Sequence, residues 1–440
     1  MRRGRQTTSS TARERVGGRD AETMLLDKLL SSRPLRGNYD AVVVAGHAVP
    51  RRGHSRRARD ASAFPSADMS TATLARGLPR WSFARRRAAP SPRWRQSAPH
   101  HPARKPSGTF TPRRHPARPS STVVASAAVD ALGEETLADG VVARHAILRL
   151  EPPRADVHYL EAAPPDAPPD APAVLLLHGF PDWNMTWRRQ IPPLVRAGYR
   201  VLAPNLRGYA KSGKPEGVDA YAPAPVTDDL AALLDARGVD VLRAVVGHDW
   251  GAAVSFAFAD RHASRTRKLV VLNGVHPTAF LDRVFSDPAQ FLKSYYVGFF
   301  QIPAAPEAAI AFANHAILRL IFRVDPASPM SRDEEDALVA ACAEPGAMRA
   351  ALNYYRAAGP TKNLWSDVGP CRAPAQVQWG SRDRYLQPEL AEPPESLATR
   401  GARVVRHPNA THWVHWDEPK AVADALLAFL DEDEEEENRR

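Results

Sequence analysis

This 440-residue chain has only two cysteines, Cys342 and Cys371, too few for a disulfide framework or a cysteine-based metal site. It has no apolar run near the 18 residues that cross a bilayer, so no membrane-spanning helix is expected and the folded part is expected to be soluble. Acidic residues are missing from residue 69 to residue 129. Residues 1–121 carry 26 Lys and Arg against 7 Asp and Glu, so the formal net charge of +10 belongs to this segment and the remainder is acidic. Positive charge gathered in a tail rather than on a folded face gives no reason to expect a nucleic-acid partner.

The basic segment, residues 1–121, is rich in Arg, Ser, Ala and Pro and has no sustained amphipathic period, so it is expected to be disordered. Its composition is that of an organelle transit peptide, with the chloroplast favoured over the mitochondrion because the segment is long and rich in Ser and Pro. Small residues around Val124, Ala125 and Ser126 are candidate processing points. The competing readings are a basic tail on a cytoplasmic protein, or a true start at Met69. At the other end, residues 431–440 are expected to form a solvated acidic tail.

From residue 135 the pattern turns globular. Residues 141–150 and 155–160 alternate as a pair of antiparallel strands would. The tandem Pro164-Pro165-Asp166-Ala167 and Pro168-Pro169-Asp170-Ala171 reads as an extended surface loop. Apolar runs at 173–177, 199–203, 244–246 and 268–272 alternate with a helical pattern at 227–237, which argues for an α/β fold with a mostly parallel central sheet flanked by helices. The alternation lapses over residues 276–367, a helical, aromatic, proline-punctuated stretch expected to be an inserted lid, and it resumes at 375–379 and 402–405. The expected organisation is therefore a core in two parts, 135–275 and 368–430, split by that lid.

The most informative stretch is Val245-Val246-Gly247-His248-Asp249-Trp250-Gly251. A buried strand, two glycines around one polar residue and a following helix describe a nucleophile elbow, where bulky neighbours would clash. Serine is absent from its centre, and Asp249 stands there instead. A carboxylate is ionised at neutral pH, needs no base to activate it, and attacks carbon electrophiles such as epoxide or carbon–halogen carbons. Asp383 follows the run ending at Trp379, and His412 follows the run ending near Arg406. Nucleophile, acid and histidine thus stand in that order at strand ends, on the edge where open α/β sheets bind ligands.

Residues 135–430 resemble the epoxide hydrolase branch of the α/β-hydrolase fold. The motifs that carry the resemblance are His178-Gly179-Phe180-Pro181, Gly247-His248-Asp249-Trp250-Gly251, Asn353-Tyr354-Tyr355-Arg356, Trp379-Gly380 with Asp383, and His412-Trp413-Val414. The resemblance implies that Asp249 attacks an epoxide to form a hydroxyalkyl ester, while Tyr355 and Tyr296 donate to the epoxide oxygen. Tyr295, adjacent to Tyr296, leaves the second donor open. It further implies that His412, oriented by Asp383, activates the water that hydrolyses the ester. It also implies that the backbone N–H groups of Phe180 and Trp250 hold the oxyanion, a term of ~3 kcal/mol per donor.

Trp183, Trp250, Tyr296 and Tyr355 are the expected substrate contacts, and Trp187 is expected beside them on the pocket wall. The substrate is expected to be a small lipophilic epoxide, with water as co-substrate and no metal or organic cofactor. His178 and His248 are expected to be structural supports, and His276 and His415 packing or surface residues. Asn205 and Ala210 stand where the family usually has Asp and Gly, so an altered loop is expected there. Two other functions share the sequence features. A haloalkane or haloacid dehalogenase uses the same triad, but that group often has Asn where Phe180 stands, or Arg where Trp250 stands. A non-catalytic binding protein of this fold would lack a triad residue, and none is lacking.

Overall fold

The computed structural model describes residues 128–437 except 325, 328 and 329; the basic segment 1–121 lies outside the described residues. The chain begins with β1 (Val129–Thr136), β2 (Val142–Leu148), β3 (Val157–Ala162) and β4 (Ala173–Leu177). There follow α1 (Ile191–Arg196), β5 (Arg200–Pro204), α2 (Pro223–Ala236), β6 (Leu242–His248), α3 (Trp250–Arg261) and β7 (Leu269–Leu272). Six helices then come in succession: α4 (Pro277–Ser286), α5 (Pro288–Lys293), α6 (Tyr295–Phe300), α7 (Ala305–Val324), α8 (Arg332–Ala343) and α9 (Ala347–Ala358). The sheet resumes with β8 (Ala375–Gly380) and β9 (Ala402–His407), and the chain ends in α10 (Val414–Asp417) and α11 (Pro419–Glu437).

The strands form one nine-stranded sheet in the order β1-β2-β3-β5-β4-β6-β7-β8-β9. Strands β1, β2, β3 and β5 pair antiparallel, and from β5 across to β9 every pairing is parallel. The sequence explains the split. All five residues of β4, a continuous apolar run, and all seven of β6, apolar at its centre over Ala244, Val245 and Val246, are buried, as strands covered on both faces require. The parallel register aligns Gly247 with Val271, Val271 with Val377, and Val377 with Val404. The loops after β6, β7, β8 and β9 therefore leave the sheet at a common edge.

Two boundaries differ from the sequence reading. The sheet starts at Val129, ahead of residue 135, because β1 is an edge strand whose residues are all exposed. With no buried face it shows no periodicity, and cross-strand pairs such as Arg144–Glu134 and Arg149–Asp130 accompany it instead. The acidic stretch from Asp431 is not a separate tail either, since α11 runs on to Glu437. Its start is anchored by the Tyr199 hydroxyl donating to Asp431 (2.9 Å) and by the Arg403–Glu432 ion pair. The Pro-Pro-Asp-Ala tandem forms two successive turns, Ala167 N–H to Pro164 O and Ala171 N–H to Pro168 O.

Behind the catalytic edge, Arg207 and Asp229 form a buried bidentate pair at 2.6 and 2.7 Å, with Asp229 also accepting from the Ala155 N–H. The lid rests on this region through Tyr354, whose hydroxyl donates to Arg207 O, and Trp365, whose indole donates to Tyr221 O. Both cysteines are buried and free.

Candidate active site

Asp249 sits at the turn from β6 into α3 with φ 52° and ψ −116°, a conformation that side-chain-bearing residues rarely adopt. The turn closes only because its neighbours are small. A Cβ on Gly251 would strike the Leu177 carbonyl, and one on Gly247 would strike the Gly251 carbonyl and the Ser255 hydroxyl. Strain of this kind, of order 1–3 kcal/mol, persists where packing over-determines it. Its effect is to push the Asp249 carboxylate off the sheet edge towards the lid.

Two groups meet that carboxylate. The Phe180 N–H donates to Asp249 Oδ1 at 2.8 Å, and His412 Nε2 lies 3.5 Å from Oδ2. The other ring nitrogen, His412 Nδ1, donates to Asp383 Oδ2 at 2.7 Å. Burial alone would raise the pKa of both carboxyls, but contact with His412 outweighs it and holds both below the usual range. Burial alone would lower the imidazole, yet Asp383 and Asp249 on its two sides outweigh that and raise it. The two carboxylates on either side of His412 thus both favour its charged form.

Asp383 is held from several directions. Its Oδ1 accepts the N–H groups of Tyr385 (2.7 Å) and Leu386 (2.9 Å), and its Oδ2 accepts Asn273 Nδ2 (2.8 Å) as well as His412. Asn273 was not singled out from the sequence. It closes β7, and its side chain also bonds the backbone N–H and C=O of Gly380. A polar residue ending an apolar strand on the catalytic edge was the available signal.

Above the triad, Asp249, Trp250, Tyr296 and Tyr355 line an apolar cavity of about 90 Å³, walled by side chains of α4, α6 and α9 and by Trp365 and Leu386. The rings of Tyr296 and Tyr355 lie 6.1 Å apart, and that of Tyr355 is 5.0 Å from Trp250. Burial pushes both phenols above their ordinary value, so they face the cavity as neutral donors. The structure separates the adjacent pair: Tyr296 points to the cavity, whereas Tyr295 is 77% exposed. Gln301 ties the two tyrosine helices together by donating to Val297 O and Tyr355 O.

Trp183 is a correction. It is buried away from this cavity, beneath the Arg188 guanidinium and along a groove beside β1. The cause is Asp182, whose carboxylate accepts both the Trp183 N–H and the Thr186 hydroxyl, turning the tryptophan to the far side. Trp187 likewise belongs to the core, fully buried and stacked near His415 at 4.9 Å. Trp250 alone of the three lines the cavity.

The four other histidines singled out from the sequence, His178, His248, His276 and His415, are all buried. His178 Nε2 accepts the Leu206 N–H and its Nδ1 bonds Gly179 O, bracing the loop that presents Phe180. His276 caps α4 by accepting the Thr278 N–H. His248 Nε2 bonds the His412 carbonyl at 3.0 Å, fixing the base from behind. Among the described residues, Asp182, His248 and His415 form the one group whose donor atoms, all within 4.8 Å of one another, could hold a metal ion. Asp182 Oδ2 and His415 Nε2 meet the Thr186 hydroxyl and His248 Nε2 bonds the His412 carbonyl, while Nδ1 of His248 and Nδ1 of His415 are buried without a hydrogen-bond partner. These residues act as internal struts under the triad. The altered loop is also visible: Asn205 bonds the Asn184 N–H and His158, and Ala210 adopts φ 44°, where a glycine would be relaxed.

Comparison with known proteins agrees with this geometry. Residues 172–419 match the alpha/beta hydrolase fold family. The chain is 32% identical to Epoxide hydrolase 3 of Xenopus tropicalis over 308 residues, covering 66% of this chain and 78% of that one. It is 35% identical over 262 residues to the AB hydrolase superfamily protein YfhM of Bacillus subtilis (strain 168), 59% of this chain and 91% of the other. Among solved structures, the inhibitor-bound epoxide hydrolase of Bacillus megaterium superposes with a TM-score of 0.56 at 26% identity, covering 63% of this chain and 97% of that one.

Proposed function

The chain belongs to the α/β-hydrolase fold family and is an epoxide hydrolase; from that premise we propose that it converts a lipophilic epoxide to a vicinal diol through a covalent ester on Asp249. The observation that carries the reading is the placement of His412 between Asp249 and Asp383, at 3.5 and 2.7 Å, beneath two tyrosines.

Asp249 Oδ1 is tied to the Phe180 N–H, so Oδ2 is the attacking oxygen. As it bonds to an epoxide carbon, the ring C–O bond breaks and Tyr355 or Tyr296 gives its phenolic proton to the released oxygen. An alkoxide is too poor a leaving group to depart unprotonated. Once Asp249 is an ester it no longer supports the positive charge on His412. The imidazolium proton then returns to the tyrosinate and leaves a neutral base.

His412 next takes a proton from water, and the hydroxide adds to the ester carbonyl. The oxyanion forms at the oxygen facing Phe180, with the Trp250 N–H at the start of α3 as second donor, and such donors contribute ~3 kcal/mol each. Collapse breaks the ester bond, the new carboxylic acid protonates the departing alkoxide, and the resting ion pair reforms. The sum is epoxide plus water to diol.

The cavity is apolar, which favours a lipophilic substrate.

The test is single turnover of the full chain and its His412→Gln variant with styrene oxide, followed by intact-mass analysis. Diol from the wild type and an adduct on Asp249 in the variant are expected. If neither forms with styrene oxide or an epoxy fatty acid while a haloalkane yields the alcohol, dehalogenation replaces this reading.

A further inference from the structure

The acid of the triad is gripped by the lid. Helix α5 is only six residues long, yet two of its side chains reach the loop after β8 that carries Asp383. Gln290 is fully buried, donates through Nε2 to Tyr385 O (2.8 Å) and accepts the Gln387 N–H through Oε1 (2.8 Å). Lys293, half-buried, donates through Nζ to Asp383 O (3.0 Å) and Leu386 O (3.1 Å). The loop has its own internal tie, since Asp383 Oδ1 accepts the N–H groups of Tyr385 and Leu386. Four bonds from one lid helix thus land on the backbone of the residues that set the direction of the Asp383 carboxylate.

That loop also touches the rest of the site. The Tyr385 ring lies 5.1 Å from the His412 ring and 6.0 Å from that of Tyr296, and Leu386 lines the cavity. A shift of α5 therefore reaches the base through two routes, the carboxylate on His412 Nδ1 and the Tyr385 ring that meets the imidazole edge-on.

We propose that Gln290 and Lys293 are positioning residues that make the second chemical step depend on the seating of the lid. Resting on the two-step reading above, the argument separates the steps. Attack by Asp249 needs the nucleophile and the tyrosines, of which the Asp383 loop reaches only Tyr296, edge-on through Tyr385 at 6.0 Å. Hydrolysis of the ester needs His412 turned to its water by Asp383. Displacing a catalytic group by about 1 Å costs up to ~10²-fold, so loss of the grip slows hydrolysis and leaves alkylation in place. The physical sense is that water is activated only when the lid is shut over the ester.

The experiment is rapid-quench, intact-mass analysis of full-length Gln290→Leu, Lys293→Met and Lys293→Arg beside the wild type, with styrene oxide. Each protein is checked by circular dichroism for folding. Gln290→Leu and Lys293→Met are expected to alkylate within about threefold of the wild-type rate and to hydrolyse the ester about 10- to 100-fold more slowly. The ester then accumulates. Lys293→Arg, which can still donate to both carbonyls, restores turnover. Lys293→Met keeps most of the apolar stem and secures the test if Gln290→Leu does not fold. Unchanged hydrolysis in a folded variant, or equal slowing of both steps, overturns the proposal. A wild type that gives neither diol nor ester overturns the epoxide reading itself.

Discussion

Replacing Asn273 by alanine removes three hydrogen bonds from a fully buried position at once. The bond to Asp383 Oδ2 is charge-assisted and contributes about 1.5–3 kcal/mol. The Gly380 N–H, which donates to Asn273 Oδ1 at 2.7 Å, loses its partner inside the protein, a cost of about 1–3 kcal/mol. Asn273 also sits at φ 36°, a region asparagine tolerates better than alanine. A water entering the vacated space recovers part of the loss, so the expected destabilisation is about 3–5 kcal/mol. Asp383 keeps its bonds to Tyr385, Leu386 and His412 and stays ionised. The expected fall in kcat is therefore about tenfold, well short of the ~10⁴ that follows when a triad acid becomes an amide. Urea unfolding followed by tryptophan fluorescence, and kcat and KM with styrene oxide, measure the two effects. A loss below 1 kcal/mol would refute the hydrogen-bond argument. A fall in kcat as large as that of Asp383→Asn would show that Asn273 does more than hold the acid.

Tyr355→Phe and Tyr296→Phe should each lower the alkylation rate by about 10²-fold, and the double substitution by more. Tyr295→Phe should change nothing, because that ring faces outward; stopped-flow alkylation distinguishes the three. Ala210→Gly should raise the melting temperature by about 1–3 °C, since relief at φ 44° slightly exceeds the extra freedom glycine gains when unfolded. A lower melting temperature would mean that the alanine methyl packs more favourably than the backbone argument allows. The folded-state pKa of Asp383 is depressed, so its ion pair stabilises the protein above the unfolded carboxylate value of about 3.9 and is lost as pH falls through the folded value. Stability should therefore drop as pH falls below about 4, and Asp383→Asn should flatten that part of the curve in denaturant titrations.

The parts of the fold that show a period were legible. Strand β4 is an unbroken apolar run, β6 has an apolar centre at Ala244, Val245 and Val246, β8 alternates Ala375, Val377 and Trp379 with glutamines, and the elbow glycines announce the turn at Asp249. The edge strand β1 was invisible because neither face is buried. Asp383 and His412 could be found because strand ends are easy to locate. Their supports could not, because Asn273 lies 110 residues from Asp383 and Gln290 lies 97 residues from Gln387. Trp183 was misplaced for a related reason: a motif fixes which residues are neighbours in the chain, while the side on which each emerges depends on Asp182 bonding to Thr186. Asn205 illustrates the reverse case, a departure from the usual family residue that the fold accommodates through His158 and Asn184.

The aligned ends of β6, β7, β8 and β9 bear on how such a chain can change length. The carboxylate–imidazole–carboxylate line spans only a few ångströms, yet its members are separated by long stretches of sequence that can vary in size. What they share is one backbone ladder, Gly247 to Val271 to Val377 to Val404. An insertion in the turns at 164–171, or within the lid away from α5, leaves that ladder in step. A single residue gained inside β6 or β8 advances one loop by about 3.3 Å against its neighbours and inverts every side chain beyond it. Insertions and deletions that preserve chemistry are therefore confined to the loops, and the length of the strands is the quantity the reaction holds constant.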